Sequence, residues 1–264
     1  MPNAQVGTMG LSKNKVKWIT SLQIKKFRQN YHKFPVEGDK IVRELLLDGR
    51  WHTDELYGLP EWIDQHTELI SKHRIEVVEV SAGDLRKLSA MQAPQQVLAI
   101  VDMHVLPRQD DIVRSDLSLY LDGIQDPGNL GAILRIADWF GIRHVFLSPE
   151  SVEVFNPKVI QASMGAFLRV CTEVCELGEI KTAFPDLRVW GADLEGENVF
   201  AVKGAEAGTL VVVGNEGGGI TPSCQELLEG KLTVPKQEGA GTESLNAAVA
   251  TGIIVAALRN KPVV

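Results

Sequence analysis

The segment Val213-Gly214-Asn215-Glu216-Gly217-Gly218-Gly219-Ile220 sets three consecutive glycines beside one carboxylate, directly after the apolar run Thr209 to Val213. A loop stripped of side chains at the end of a strand invites close approach to its backbone, because omitting Cβ atoms costs conformational entropy. A plain turn needs one glycine, or two. A second stretch, Gln125-Asp126-Pro127-Gly128-Asn129-Leu130-Gly131, leads into a predicted helix bearing Arg135. On a helical wheel Ile133, Ile136, Ala137 and Phe140 share one apolar face and Arg135 points away from it. Gly131 lies one turn earlier on the side of Arg135, leaving room beneath the guanidinium. A third stretch runs from Pro235 to Asn246, where Ser244 reads as the N-cap of a helix of small residues. Asn246 then falls just inside that helix, a poor place for asparagine. Taken singly these residues have ordinary explanations: an exposed helical arginine is most often a solvated charge, and Glu216 could orient an arginine, accept a substrate hydrogen bond or merely solubilise its turn.

The elements that must position these loops alternate. Strands are expected at Leu117 to Leu121, Arg143 to Leu147, Phe167 to Val174, Leu187 to Trp190, Leu210 to Val213 and Leu232 to Val234. Between them helices are expected at Asn129 to Phe140, with Asn129 as N-cap and Gly141 just past its end, at Pro157 to Met164, at Pro222 to Leu228 and at Ser244 to Leu258. Such alternation means an α/β layer with a mainly parallel sheet, and parallel sheets place ligands at the carboxyl ends of their strands. All three loops lie there. Ahead of this region, helices are expected at Ile19 to Phe27, Lys40 to Leu47 and Gly83 to Ser89, and strands at Arg74 to Val80 and Val97 to Val105. The expected organisation is a disordered N-terminus over residues 1–11, a small domain over 12–106, a polar linker over 107–115 and a larger domain over 116–264.

With 264 residues and a net charge of −7, the chain can bury a substantial core and is poorly suited to indiscriminate polyanion binding. Its charge is uneven: Lys13 to Lys33 holds seven basic residues and no acid, an electrostatic footprint for a partner or a merely solvated leader. No apolar run is long enough for a membrane span, and no apolar signal core precedes Lys13. The odd set Cys171, Cys175 and Cys224 suits a reduced, cytoplasmic protein. The histidines and cysteines lack the pairing of a metal site. Gly-x-Gly-x-x-Gly and Walker-type loops are absent, and neither Ser163 nor Ser244 occupies a nucleophile elbow.

Asn129-Leu-Gly131-Ala-Ile-Leu-Arg135, Gly214-Asn-Glu216-Gly-Gly-Gly219 and Ser244-Leu245-Asn246 resemble, in order and spacing, the three signature motifs of the SpoU/TrmH RNA 2′-O-methyltransferases of the SPOUT superfamily. Phe34-Pro-Val-Glu37-Gly38 and Ala93-Pro94-Gln95-Gln-Val-Leu-Ala99 resemble the small substrate-binding domain that precedes the catalytic domain in many members. The resemblance implies a SPOUT-type α/β domain with a parallel sheet and a C-terminal deep trefoil knot, an exception to the unknotted habit of chains. It implies S-adenosylmethionine bound mainly by main-chain groups, with Gly214, Glu216, Gly219, Ile220, Val234, Pro235 and Leu245 around it. On that expectation a branched Cβ at Gly214 projects into the cofactor's space. The chemistry falls to Arg135, Asn129, Glu216, Ser244 and Asn246. Arg135 matches the arginine proposed to meet the ribose hydroxyl. A guanidinium is a poor base, with a pKa above about 12, so positioning is its expected role, with Glu216 and Asn129 holding it. The resemblance further implies a homodimer acting on RNA in the cytoplasm, with no metal and no membrane. Ribosomal RNA is expected before tRNA, and a non-catalytic RNA-binding protein is the alternative. Two departures stand out: the loop Lys236 to Glu243 is longer than usual and lacks the methionine after the proline, and Gln161 stands where many relatives have arginine.

Overall fold

The computed structural model describes residues 6–7, 11–91 and 93–259, and the chain divides into two compact units, Met1–His104 with Phe155–Leu168 and Val105–Val154 with Arg169–Val264. Of the residues expected to be disordered, 1–11, only 6, 7 and 11 are described, and Val6–Gly7 form a strand paired with Val77 and Val78 instead.

In the first unit, strands β1 (Val6–Gly7), β2 (Lys33–Glu37), β3 (Thr53–Gly58), β4 (Glu76–Glu79) and β5 (Val97–Asp102) form a mixed sheet in the order β1-β4-β3-β5-β2. Strands β2 and β3 have no counterpart in the sequence reading. Pro35 argues against a strand, yet it is tolerated because β2 is an edge strand. The single helix expected over Ile19 to Phe27 is two, Lys13–Ser21 and Lys25–Tyr31. Helix Asp39–Asp48 turns Ile41, Val42, Leu45 and Leu46 into the core, the period of a one-sided helix. Phe34, on β2, packs against Phe155 and Phe167, so the segment 155–168 contributes aromatic core to this unit.

The second unit is built on six parallel strands, β6 (Ser118–Asp122), β7 (His144–Leu147), β8 (Cys171–Val174), β9 (Arg188–Asn198), β10 (Thr209–Gly214) and β11 (Gly230–Thr233), in the order β11-β9-β10-β6-β7-β8. This is the parallel α/β layer that the alternation predicts. Tyr120, Phe146, Val189, Leu210 and Val212 project from the strands into a core with Leu177, Ile180 and Phe184. Residues expected in the linker form a helix, Asp110–Ser115, whose Val113 joins the same core.

Two helix starts differ from expectation, for one physical reason. Helix Pro127–Trp139 is capped by Asp126, whose carboxylate accepts from the Asn129 N–H at 2.8 Å, rather than by Asn129. Helix Ala247–Arg259 begins after Asn246, whose Oδ1 accepts from the N–H groups of Ala248 at 3.0 Å and Val249 at 3.3 Å; Ser244 is not its cap. Each stretch holds two residue types that make good caps, and the chain uses the one that frees its neighbour. The two helices pack together, with Gly252 against Ile136.

Candidate active site

Strand β10 ends at Gly214 and the chain returns on itself at once. Asn215 and Gly219 form an isolated antiparallel bridge, N–H to C=O at 3.1 Å and 2.8 Å. The Asn215 side chain accepts from the Gly217 N–H at 2.8 Å and donates to the Gly123 carbonyl at 2.7 Å, tying the loop to the turn after β6. Buried Asp122, at the end of β6, accepts from the Thr221 N–H at 2.6 Å. Asn215 and Asp122 were absent from the sequence-predicted site; their position at strand ends was the available signal.

The glycines now separate by role. A Cβ on Gly214 would lie 2.2 Å from the carbonyl carbon of Gly219. The bare backbone at Gly214 is therefore demanded by the loop's own return, which corrects the expectation that its Cβ would meet the cofactor. Gly219 has φ +66°, a left-handed conformation natural to glycine. Gly218 has open space where a Cβ would be and no positive φ. Nothing in the fold requires a glycine there.

The loop borders a cleft of about 460 Å³. Its walls come from three adjacent strands and the loops that follow two of them: Ala192, Asp193 and Leu194 within β9, Val213 and Gly214 at the end of β10 with the loop to Ile220, and Thr233 at the end of β11 with Val234, Glu243, Ser244 and Leu245 beyond it. Ala247, Ala250 and Ile254 of the last helix close it. Of the residues expected around the cofactor, Gly214, Glu216, Gly219, Ile220, Val234 and Leu245 line the cleft, whereas Pro235 is not among its lining residues. Asp193 was missed because the expected strand stopped at Trp190. Burial works against its charge, but hydrogen bonds from Lys231, at 2.7 Å, and from backbone amides hold its carboxyl below the usual carboxylate range.

The remaining motif residues meet at the rim. Asn246 donates from Nδ2 to Asn129 Oδ1 at 2.8 Å, and Asn129 Nδ2 donates to Glu216 Oε1. One side-chain chain therefore joins the start of the last helix, the first turn of the Arg135 helix and the glycine loop. Arg135 is exposed and makes no hydrogen bond or ion pair among the described residues, so Glu216 and Asn129 do not hold its guanidinium. Ser244 is exposed and likewise unbonded. Gln161 donates to the Glu37 carbonyl at 2.8 Å, within the first unit.

The cleft volume falls within the roughly 300–1,000 Å³ of small-molecule sites. Apolar walls at Ile220, Val234 and Ile254 suit a flat aromatic base, and the open backbone at Gly217 and Gly218 suits a ligand bound by main-chain groups. Carboxylates at Asp193, Glu216 and Glu243 suit a cationic portion. That donor set fits S-adenosylmethionine. The cysteines are no rival nucleophiles: burial pushes the Cys171 and Cys224 thiols up to about 11 and that of Cys175 to about 12. Among the described residues no group of three or more His, Cys, Asp or Glu is arranged to hold a metal ion.

Residues 116–256 match the model of the SpoU rRNA methylase family, and residues 13–99 that of the MRM3-like substrate binding domain. The 23S rRNA (guanosine(2553)-2′-O)-methyltransferase RlmP of Bacillus subtilis is 28% identical over 93% of this chain and 96% of its own. The structure of a TrmH-family protein from Porphyromonas gingivalis is 36% identical with a TM-score of 0.83, covering 95% of this chain and 99% of that one. An AdoMet-bound rRNA methyltransferase from Sinorhizobium meliloti shares the fold, with a TM-score of 0.87 at 24% identity over 98% of this chain and 100% of that one. By the family match over more than half its length, in agreement with the motifs at the cleft, the chain belongs to the SpoU rRNA methylase family.

Proposed function

We propose that this chain transfers a methyl group from S-adenosylmethionine to a ribose 2′-hydroxyl of ribosomal RNA. The observation that supports the reading best is the hydrogen-bonded chain Asn246–Asn129–Glu216, which fixes the helix of Arg135 against the rim of the cleft. When bound, S-adenosylmethionine supplies a methyl group on a sulfonium, open to in-line attack by an oxygen. Gly217, Gly218, Ile220, Val234 and Leu245 would hold it, and Arg135, without a hydrogen bond or ion pair among the described residues, presents a guanidinium that donates to the ribose hydroxyl or to a neighbouring phosphate. A permanently charged donor positions an oxygen without taking its proton. Such placement contributes at most about 7–11 kcal/mol. Ser244, on the cleft wall and without a side-chain hydrogen bond among the described residues, is free to contact ribose or phosphate.

The name of the Bacillus subtilis relative, a 23S rRNA enzyme, supports rRNA over tRNA. Residues 12–106 serve RNA binding and residues 116–264, with their C-terminal trefoil knot, serve methyl transfer. The chain works as a homodimer in the cytoplasm; among the described residues no helix is long and apolar enough to cross a membrane. Isothermal titration with S-adenosylmethionine, paired with methyl transfer to rRNA and tRNA, tests the reading. Cofactor binding with 2′-O-methylation of rRNA is expected. RNA binding without cofactor binding would instead support a non-catalytic scaffold.

A further inference from the structure

Helix Lys25–Tyr31 is turned inside out. Its buried residue is Arg28, 1% exposed, which donates from Nη1 to the Leu22 carbonyl at 2.7 Å. Its outward stripe is apolar: Ile24 at the N-cap is 56% exposed, Phe27 half-buried and Tyr31 45% exposed. These positions recur at the spacing of one helix face. Tyr31 stacks on Phe27, with centroids 6.4 Å apart and planes 15° apart, and meets the edge of Trp18 from the preceding helix at 5.9 Å. The three rings thus adjoin one another, with Phe27 and Tyr31 on the outward stripe and Trp18 half-buried beside them, packed on the core below and carrying the Lys15 ammonium 4.7 Å from its ring centre. A buried arginine with outward aromatics reverses the usual partition of side chains, and such reversals mark interaction sites.

The surrounding charge selects the partner. Of the seven basic residues between Lys13 and Lys33, Lys15 pairs with Glu55 at 2.5 Å, Lys33 pairs with Asp54 and Asp102, and Arg28 is buried. Lys13, Lys17, Lys25 and Lys26 remain exposed and without an ion pair among the described residues, and neither helix holds an acid. Aromatic faces beside uncompensated cations match a single strand of nucleic acid, whose bases stack while its phosphates are neutralised.

We propose that Trp18, Phe27 and Tyr31 form a stacking platform for unpaired nucleobases of the RNA substrate, with the four free lysines neutralising the flanking phosphates. The proposal rests on the RNA reading above and assigns the place and mode of binding. The test uses the full chain and two probes, a 12-nucleotide single-stranded RNA and a duplex of the same length, at several salt concentrations. Tyr31→Ala is expected to weaken single-strand binding by roughly 5- to 150-fold, the scale of one lost base stack, with little change for the duplex. Tyr31→Phe, which keeps the ring, should restore affinity. Lys25→Ala with Lys26→Ala should flatten the dependence of log K on log salt by about 0.7 for each phosphate no longer neutralised. S-adenosylmethionine affinity should be unchanged in every variant, showing that the second unit survives, and an unchanged urea midpoint and far-UV circular dichroism should show the same of the first. Single-strand affinity equal to the unmodified chain in Tyr31→Ala, or a salt slope unchanged in the double lysine variant, overturns the platform while leaving the methyltransferase reading intact. Loss of self-association in Tyr31→Ala, with RNA affinity unchanged, also overturns it by making the face a protein contact. Weakened RNA binding in a chain that transfers no methyl group supports the platform and sinks the enzyme reading instead.

Discussion

Substituting Gly214 with alanine tests whether the glycine loop is built for closure, for ligand contact, or for both at different residues. The new Cβ would sit 2.2 Å from the Gly219 carbonyl carbon and 2.4 Å from the Ile220 nitrogen, whereas carbon atoms rest at about 3.5–4.0 Å. Both obstacles are backbone, so relief requires the strand end and the return to part. That movement breaks the Asn215–Gly219 pair. Losing two backbone hydrogen bonds at about 0.5–1.5 kcal/mol each, together with overpacking of about 1–3 kcal/mol, destabilises the closed loop by roughly 2–6 kcal/mol. If binding requires the closed loop, even the lower end weakens S-adenosylmethionine by at least ~10-fold, since 1.4 kcal/mol is one decade. Gly218→Val is the counterpart, because that position has open space and no positive φ. Its stability should be unchanged while its cofactor affinity falls, the branched side chain standing where the ligand approaches. Calorimetric titration and urea midpoints measured on both variants separate the roles. Unchanged midpoint and unchanged affinity in Gly214→Ala would refute the closure argument.

Three further outcomes are expected. Asn246→Ala removes an N-cap and the link to Asn129, which should lower stability by ~0.5–2 kcal/mol and reduce methyl transfer; activity equal to the unmodified chain would dismiss the linking role. Asn129→Ala should impair turnover more than cofactor affinity, as a KM-against-kcat split would reveal, because it breaks both bonds that join the three loops. Buried His144 accepts the Gln109 N–H at Nε2, at 3.0 Å, and burial chiefly, then the Arg108 charge, lowers its pKa from the ordinary 6.5. The unfolded chain therefore binds the proton more readily, so the stability tied to neutral His144 is complete above about pH 6.5 and is lost as the pH falls toward the folded value. Urea midpoints should fall between pH 7.5 and 5.5 and fall less in His144→Gln; identical profiles would remove the histidine from the account.

Much of the site was legible because its chemistry is written in local residue types. Three glycines after an apolar run fixed the end of β10, and alternating runs fixed the parallel layer of the second unit. What escaped was decided by tertiary context. Asp126 against Asn129, and Ser244 against Asn246, are competing caps of similar intrinsic quality; only packing shows that Asp126 caps and leaves Asn129 to bridge, whereas Asn246 caps through Oδ1 and bridges through Nδ2. β9 continues to Asn198 through Gly191 and a charged run, where Gly196 lets it approach the backbone of Lys231 on β11, a contact no local pattern announces. The aromatic core that draws residues 155–168 into the first unit is likewise non-local. The seven basic residues between Lys13 and Lys33 were visible, but their division into paired, buried and exposed cations required the fold.

The central claim is that Arg135, without a hydrogen bond or ion pair among the described residues and carried on the helix that the Asn246–Asn129–Glu216 chain ties to the glycine loop, positions a ribose hydroxyl for methyl transfer. Its direct test is transfer of labelled methyl groups from S-adenosylmethionine to rRNA by the purified Arg135→Ala chain, with cofactor affinity measured on the same sample. The account predicts cofactor affinity within about twofold of the unmodified chain and 2′-O-methylation lowered by at least ~10²-fold. Near-normal turnover with the affinity unchanged would contradict it.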